Sequence, residues 1–544
     1  MARLNTVRIR PQVRSFIRGI VNAQGELARD EQSQLYLLGV SMFAGEKAFY
    51  ETAEQRDARF KNLVRSLAVT DATWTARFLG WLRTEAGIRT ASIIGAAEFV
   101  AARRDAGIAD DDHARRERGL GRRTVDSVLQ RADEPNEMIA YWLKTYGRSL
   151  PKAIRNGTAD ATKRLWNERS LLKWDSAERG VRFADTLQLV HSAPKMDWQS
   201  GVFKHALDRR YGNEGAELPD TLVVLRYRRK LMAIPVDQRR QWLRDVAANG
   251  TLGNQLRSAG MTWESVAGWL QGPMDAAVWE AVIPLMQCGA LVKNLRNFDH
   301  AKVSDGSASL VGAKLSLAEE IAASKLFPYR FLSAMRAAPS LRWAWPLEQA
   351  IGHSLANIPE LAGNTLVLVD RSPSMWSQTL SEHSEMSWAD GAALFGAALA
   401  LRAESAELAE FGSDSGRIAF DKAESVLRLV QRFTRRGGTN IPAAISQHYE
   451  RGHHDRVVII TDEKTRPGYV PYWEPSGWYH NVKYADLDQL VDPTVPVYIW
   501  NFGGYEEGWA PSGASNRHCF GGLTDSAFKL IPMLERGHAA DWPF

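Results

Sequence analysis

The chain has 544 residues, of which 45% are hydrophobic and 24% charged. That is room for two or three domains and the balance of a folded protein, not of a disordered or fibrous one. No apolar run follows the basic N-terminus, and no stretch approaches the roughly 20 apolar residues of a membrane span, so neither a secretory signal nor a membrane segment is expected. Cys288 and Cys519 stand far apart and form no CxxC pair, which points away from a disulfide framework and towards a reducing, cytoplasmic setting. The net charge of +5 hides an asymmetry: residues 1–355 carry +13 and residues 356–544 carry −8. A basic part joined to an acidic part suggests that only the first meets a polyanion.

From about residue 10 to 355 the pattern is helical. QLYLLGVSMFAGEKAFY (34–50), ARFKNLVRSLAV (58–69), TWTARFLGWLRTE (73–85) and TASIIGAAEFVAARR (90–104) follow one another, with apolar residues at three- and four-residue steps. Further segments of this kind include RFADTLQLVHSAPK (182–195), VWEAVIPLMQCGALVKNLRNF (278–298) and LFPYRFLSAMRA (326–337). Stacked antiparallel helix pairs bury such faces, so an all-α helical-repeat ring or solenoid is expected over 10–355. No crisp fixed-period repeat is visible.

Near residue 360 the texture changes. NTLVLVD (364–370), AELAEFG (406–412), RVVIITD (456–462) and VPVYIWNF (495–502) read as strands. Between and after them WADGAALFGAALALRAE (388–404), ESVLRLVQRF (424–433), NIPAAISQHYE (440–450) and DSAFKLIPMLERG (525–537) read as helices. Apolar strands alternating with helices predict an α/β doubly wound parallel sheet over 360–540, with ligands bound at the carboxyl ends of its strands.

Three segments fall at such ends: Asp370-Arg371-Ser372-Pro373-Ser374, Gly437-Gly438-Thr439-Asn440 and Asp462-Glu463. They offer two carboxylates and three hydroxyls, the all-oxygen set of a hard cation such as Mg²⁺, with water or a partner's acidic group completing the shell. No clustered Cys or His supports zinc. The alternative is structural, with the aspartates capping loops and Ser372 and Ser374 serving as helix N-caps. Arg371 is unusual within the motif, because an inward cation would oppose a metal.

The order DxSxS, GGT, TD resembles a von Willebrand factor A domain with a metal-ion-dependent adhesion site. That resemblance implies that Asp370, Ser372, Ser374, Thr439 and Asp462 contact the metal directly or through water. A helical body preceding such a domain resembles the TROVE architecture of the Ro autoantigen family and its bacterial relatives. YGRSLPKAI (146–154) and the three segments at 182–195, 278–298 and 326–337 carry this second resemblance in order. Around 40–51 the chain reads VSMFAGEKAFYE where the family is Gly-rich, so a divergent relative is implied. The resemblance implies a HEAT-like helical ring closed by the A domain. It further implies binding of Y-like RNA and of single-stranded ends of misfolded RNA, and a working partnership with polynucleotide phosphorylase.

The residues themselves are compatible with RNA. Residues 144–182 are dense in cations, with Tyr146, Trp166 and Trp174 among them. Cations neutralise phosphates and aromatics stack on unpaired bases, although tryptophans in helical repeats are commonly core. Lys152, Arg155 and Arg182 are expected RNA contacts, and the resemblance to the Ro family implies Lys173, Arg179 and His191 as further ones, His191 being readable equally as a core histidine. Arg226 to Lys230 and Arg115 to Arg123 are further basic runs, readable as phosphate contacts or solvated faces. No nucleophile–base motif, P-loop or HExxH is present, so a non-catalytic, monomeric RNA-binding protein is expected. The alternatives are a metal-dependent protein–protein adaptor without RNA, and a metal-dependent ribonuclease.

Overall fold

The computed structural model describes residues 20–21, 27–28, 30–41, 53–110, 118–213, 215–380, 386–462, 469–473, 479–483, 487–502, 517–521, 527–538 and 542–544. After a two-residue pair of strands, β1 (Ile20–Val21) and β2 (Leu27–Ala28), the described residues up to 354 form helices and their connections. The first helices are α1 (Glu31–Ser41), α2 (Ala53–Thr70), α3 (Ala72–Thr84), α4 (Thr90–Asp105), α5 (Leu120–Val128), α6 (Glu134–Tyr146) and α7 (Lys152–Leu165). α3 starts where the Asp71 side chain accepts the Trp74 N–H, and it buries Phe78, Leu79 and Leu82. α4 is rich in Ala, so that Ala96, Ala97, Phe99 and Ala101 are all fully buried where α2, α3 and α5 close around it. Small side chains let helix axes approach closely and bury surface on several faces at once.

α8 (Glu168–Trp174), α9 (Phe183–Val190), α10 (Asp197–Arg210) and α11 (Val223–Met232) surround a separate core of Trp166, Leu171, Phe183, Val202 and Leu222. α12 (Val236–Ala248), α13 (Leu252–Ser258), α14 (Trp263–Leu270), α15 (Ala276–Val282) and α16 (Cys288–Ala301) follow. The single segment expected over 278–298 is broken: Pro284 lies in a 3-10 turn, Ile283–Leu285, between α15 and α16. Proline cannot donate the helical hydrogen bond and clashes with the preceding turn, so the axis changes direction there. α17 (Asp305–Ser316), α18 (Ala318–Ser324), α19 (Pro328–Ala337) and α20 (Leu341–Ser354) complete the helical body.

The sheet that follows has the order β10-β9-β6-β3-β4-β5. Its strands are β3 (Leu361–Asp370), β4 (Ala403–Phe411), β5 (Ser415–Arg417), β6 (Arg456–Thr461), β9 (Val497–Asn501) and β10 (Arg517–Gly521), all parallel except the short edge strand β5. A hairpin of β7 (Tyr469–Trp473) and β8 (Tyr479–Lys483) lies outside this sheet. The connecting helices are α21 (Pro373–Ser377), α22 (Trp388–Arg402), α23 (Val426–Gln431), α24 (Ile441–His448), α25 (Leu487–Leu490) and α26 (Ala527–His538). Side chains alternate across each strand. Val367, Val369, Val458 and Ile460 pack with α22 into the core that is continuous with the helical body. Leu366, Leu368, Val457 and Ile459 face α24 and α25 on the other side. Both faces are covered, as expected of a doubly wound sheet.

The two parts meet twice. α19 packs on α22 and α20 on α23, with Arg336 bonded to Asp390 at 2.8 Å and Phe327 stacked on Phe528 at 5.4 Å. At the far end, α26 packs on α1. Beyond α26, Trp542 lies 5.2 Å from both Tyr36 and Trp74, and Phe544 lies 5.4 Å from Trp74 and 5.7 Å from Trp81. The last described residues are thus clasped between α1 and α3.

Candidate metal centre and basic surface

β3 has β4 on one side and β6 on the other, so chain direction across the sheet reverses at its carboxyl end, where ligand crevices form. Asp370 ends β3 and is fully buried; its Oδ1 accepts the Ser372 N–H at 2.8 Å and its Oδ2 accepts the Thr461 hydroxyl at 2.6 Å. The Ser372 and Ser374 hydroxyls are 3.1 Å apart. Ser372 is at the N-cap position of α21 but makes no side-chain cap bond, so its hydroxyl is not used as the capping alternative requires. Asp462 follows β6; it is fully buried, and among the described residues neither carboxylate oxygen has a hydrogen-bond partner. An orphaned carboxylate is costly to bury, and a cation is the partner that chemistry supplies most readily. Burial, with a contribution from Asp462, pushes the Asp370 carboxyl up to about 7.

Thr439 sits in the loop before α24, half-buried, and Asn440 performs the capping there by accepting the Ala443 N–H. The loop is tied to the end of β4 by Asn440 N–H to Gly412 O at 2.8 Å and to β3 by Arg436 N–H to Arg371 O at 3.0 Å. A Cβ on Gly412 would overlap the Gly437 carbonyl, so glycine at this strand end permits the approach. Sequence reasoning missed Gly412, whose only signal was a glycine directly after a strand. Glu463 lies outside the described residues. Among the described residues no three His, Cys, Asp or Glu cluster as metal ligands; the set here is two carboxylates and three hydroxyls.

Arg371 is held by partners of its own. Its guanidinium donates to the carbonyls of Thr434 and Ala389 and lies 4.4 Å from the Trp376 ring and 5.5 Å from Phe433. Burial lowers its pKa to about 10. Alternation along the chain turns this side chain away from Asp370 and Ser372, into an aromatic cage.

On the helical body, Lys152 and Lys173 are exposed, Arg155 and Arg179 half-exposed, and His191 exposed. His191 ends α9 in the left-handed region at φ 52°, so the core reading of that histidine is set aside. Arg182 requires correction. It is only 8% exposed and bonds Asp175 at 3.1 Å, whose other oxygen accepts the Phe183 N–H. It braces the start of α9 and offers no phosphate contact. Arg131, Lys173 and Arg179 gather around the half-buried Trp174, at 4.5, 4.9 and 5.7 Å from its ring. Asp133 takes part of this charge, through Arg131 at 2.6 Å and Arg179 at 3.4 Å. Trp166 is core: it stacks on Phe183 at 3.9 Å and donates to Ala132 O. Tyr146 donates to buried Glu98 at 2.6 Å and is structural too. Arg115 and Arg116 lie outside the described residues, whereas Arg122 is held by Asp160 and Arg226 by Asp220.

Comparison with known proteins adds two likenesses. Residues 257–361, from α13 to the start of β3, match the family model described as the TROVE domain. Among solved structures, the crystal structure of the Ro (Rsr) protein of Deinococcus radiodurans is similar with a TM-score of 0.68 at 15% identity, covering 94% of this chain and 100% of that one. No curated protein sequence matches. Residues 257–361 thus resemble a TROVE domain, and the chain shares the fold of a Ro protein.

Proposed function

We propose that this protein is a non-catalytic RNA-binding protein that holds Y-like RNA and misfolded RNA with single-stranded ends, in maturation or decay alongside an exoribonuclease of the polynucleotide phosphorylase kind. The observation that carries the reading is the cationic surface of α7 to α9, where Lys152, Arg155, Lys173 and Arg179 reach solvent with the exposed His191 on the same segment. These cations sit in the part of the chain that holds a charge of +13. Each phosphate neutralised there releases counterions, so affinity falls steeply with salt. The test is binding of a structured RNA with a single-stranded tail across a salt series. Joint replacement Lys173→Gln and Arg179→Gln is expected to lower affinity about tenfold and to reduce the salt slope by about two. An unchanged slope removes this surface from the RNA interface.

The sheet domain is read as a von Willebrand factor A-like module whose metal-ion-dependent adhesion site docks a protein partner. Asp370, Ser372, Ser374, Thr439 and Asp462 would hold a hard divalent cation such as Mg²⁺. The fit rests on the orphaned Asp462 carboxylate beside buried Asp370. The cation would supply an open position for a carboxylate of the partner. The chain's own part is to keep the site rigid: Thr461 and the Ser372 N–H orient Asp370, and Arg371 anchors the loop from behind.

A further inference from the structure

Arg131, in the turn between α5 and α6, is fixed at both ends. Its Nε and Nη2 donate to the two oxygens of Asp133 at 2.6 and 2.9 Å, and that carboxylate is only 1% exposed. Its backbone N–H donates to Glu134 at 2.9 Å. Arg89 meets Asp133 as well, at 3.3 Å, and so helps to hold the carboxylate in place. The Arg131 guanidinium lies over the ring of Trp174, the last residue of α8, 4.5 Å from its centre. Carboxylate and indole thus take the edge and one side of the guanidinium plane, yet 39% of the Arg131 side chain still reaches solvent. Lys173 and Arg179 flank the same ring at 4.9 and 5.7 Å.

We infer that the Arg131 guanidinium, backed by Trp174, is a stacking platform for an unpaired nucleobase, with Lys173 and Arg179 taking the neighbouring phosphates. A guanidinium is planar and weakly hydrated, so its remaining side suits a flat aromatic ring. Its fork of donors is spent on Asp133, which removes it as a bidentate phosphate ligand and sets the tilt of its plane. Because the side chain is held beforehand, binding need not immobilise it. Inside a duplex both faces of each base are covered by neighbouring bases, so only a loop, a bulge or a single strand offers a ring to this platform. The inference rests on the RNA-binding reading and deepens it: the α8 patch recognises an unpaired nucleotide and not backbone charge alone.

The experiment uses the full chain and fluorescence anisotropy with three probes of about ten nucleotides: an oligoadenylate, a strand of the same charge whose sugars carry no base, and a blunt RNA duplex. Stacking of one base is worth about tenfold in affinity, so the oligoadenylate should bind about tenfold more tightly than the base-free strand. Arg131→Lys keeps the charge beside Asp133 and removes the plane; the ratio is expected to fall towards one through weaker binding of the base-bearing strand. Trp174→Leu, which removes the support under the guanidinium, is a second and independent variant and should lower the ratio in the same way. A ratio unchanged in both variants would overturn the inference. Salt-sensitive binding of all three probes with equal affinity by the parent would also overturn it and leave the RNA reading standing. Failure of the parent to bind these probes and a structured RNA with a single-stranded tail would overturn both.

Discussion

Arg456, the first residue of β6, is fully buried. Its Nε and Nη2 meet the two oxygens of Glu535 on α26 at 2.5 and 3.0 Å, and its Nη1 donates to the Thr365 hydroxyl at 2.7 Å. Glu535 keeps 22% side-chain exposure while Arg456 has none. The asymmetry sets the prediction. Glu535→Gln strands a guanidinium away from water and should cost about 3 kcal/mol, the lower end of the range for breaking a buried pair because Glu535 is partly wet. Arg456→Met leaves a carboxylate that can turn to solvent, and should cost about 1–2 kcal/mol. The double change Arg456→Met/Glu535→Leu should recover to within about 1 kcal/mol of the parent, because nothing charged stays buried. Urea unfolding followed by circular dichroism reads these values. With a slope of about 2–3 kcal/mol per molar, Glu535→Gln should shift the midpoint of the sheet domain by about 1 M. If both single variants cost the same, or if the double variant is the least stable of the three, the reasoning about desolvation is wrong.

Two further perturbations address the site and the clasp. Asp462→Asn removes a buried charge beside Asp370; it should raise the melting temperature in chelator and abolish the stabilisation by Mg²⁺. For the parent that stabilisation is expected to be about 2.7 kcal/mol at a hundredfold excess over Kd; an unchanged Mg²⁺ response in Asp462→Asn would remove this residue from the cation site. Trp542→Ala/Phe544→Ala should loosen α1 and α3. At about 2 kcal/mol for each partly buried ring, amide exchange in those helices should accelerate about a thousandfold, and unaltered protection would show that the clasp carries no load.

Much of the sheet domain was legible because its strands are continuous apolar runs. β3, β4, β6 and β9 were all expected close to where they lie. β10 was missed because Arg517–Gly521 reads RHCFG, and a strand supported by neighbours needs little intrinsic signal. β5 was missed because three residues carry no period. In the helical body, α2 and α3, each with one apolar face, and the apolar Ala-rich α4 were legible. Polar helices such as α12, with Leu243 as its one fully buried side chain, showed no stripe and were not. At the metal centre, residue types and order were sufficient to nominate Asp370 and Asp462, but the direction of Arg371 depends on the cage formed by Trp376 and Phe433. Arg182 was misassigned for a similar reason: charge density along a sequence does not reveal which cations a neighbouring Asp175 has already taken.

The clasp around Trp542 and Phe544 also fixes an order of events during synthesis. Tyr36, Trp74, Phe78 and Trp81 are made early, yet the rings that cover them arrive some 500 residues later by the numbering. Until then an aromatic groove on the newborn chain faces water. A contact this distant in sequence closes slowly and late. The nascent protein therefore presents a sticky surface throughout translation, a natural point for a chaperone to engage and for two unfinished chains to exchange ends.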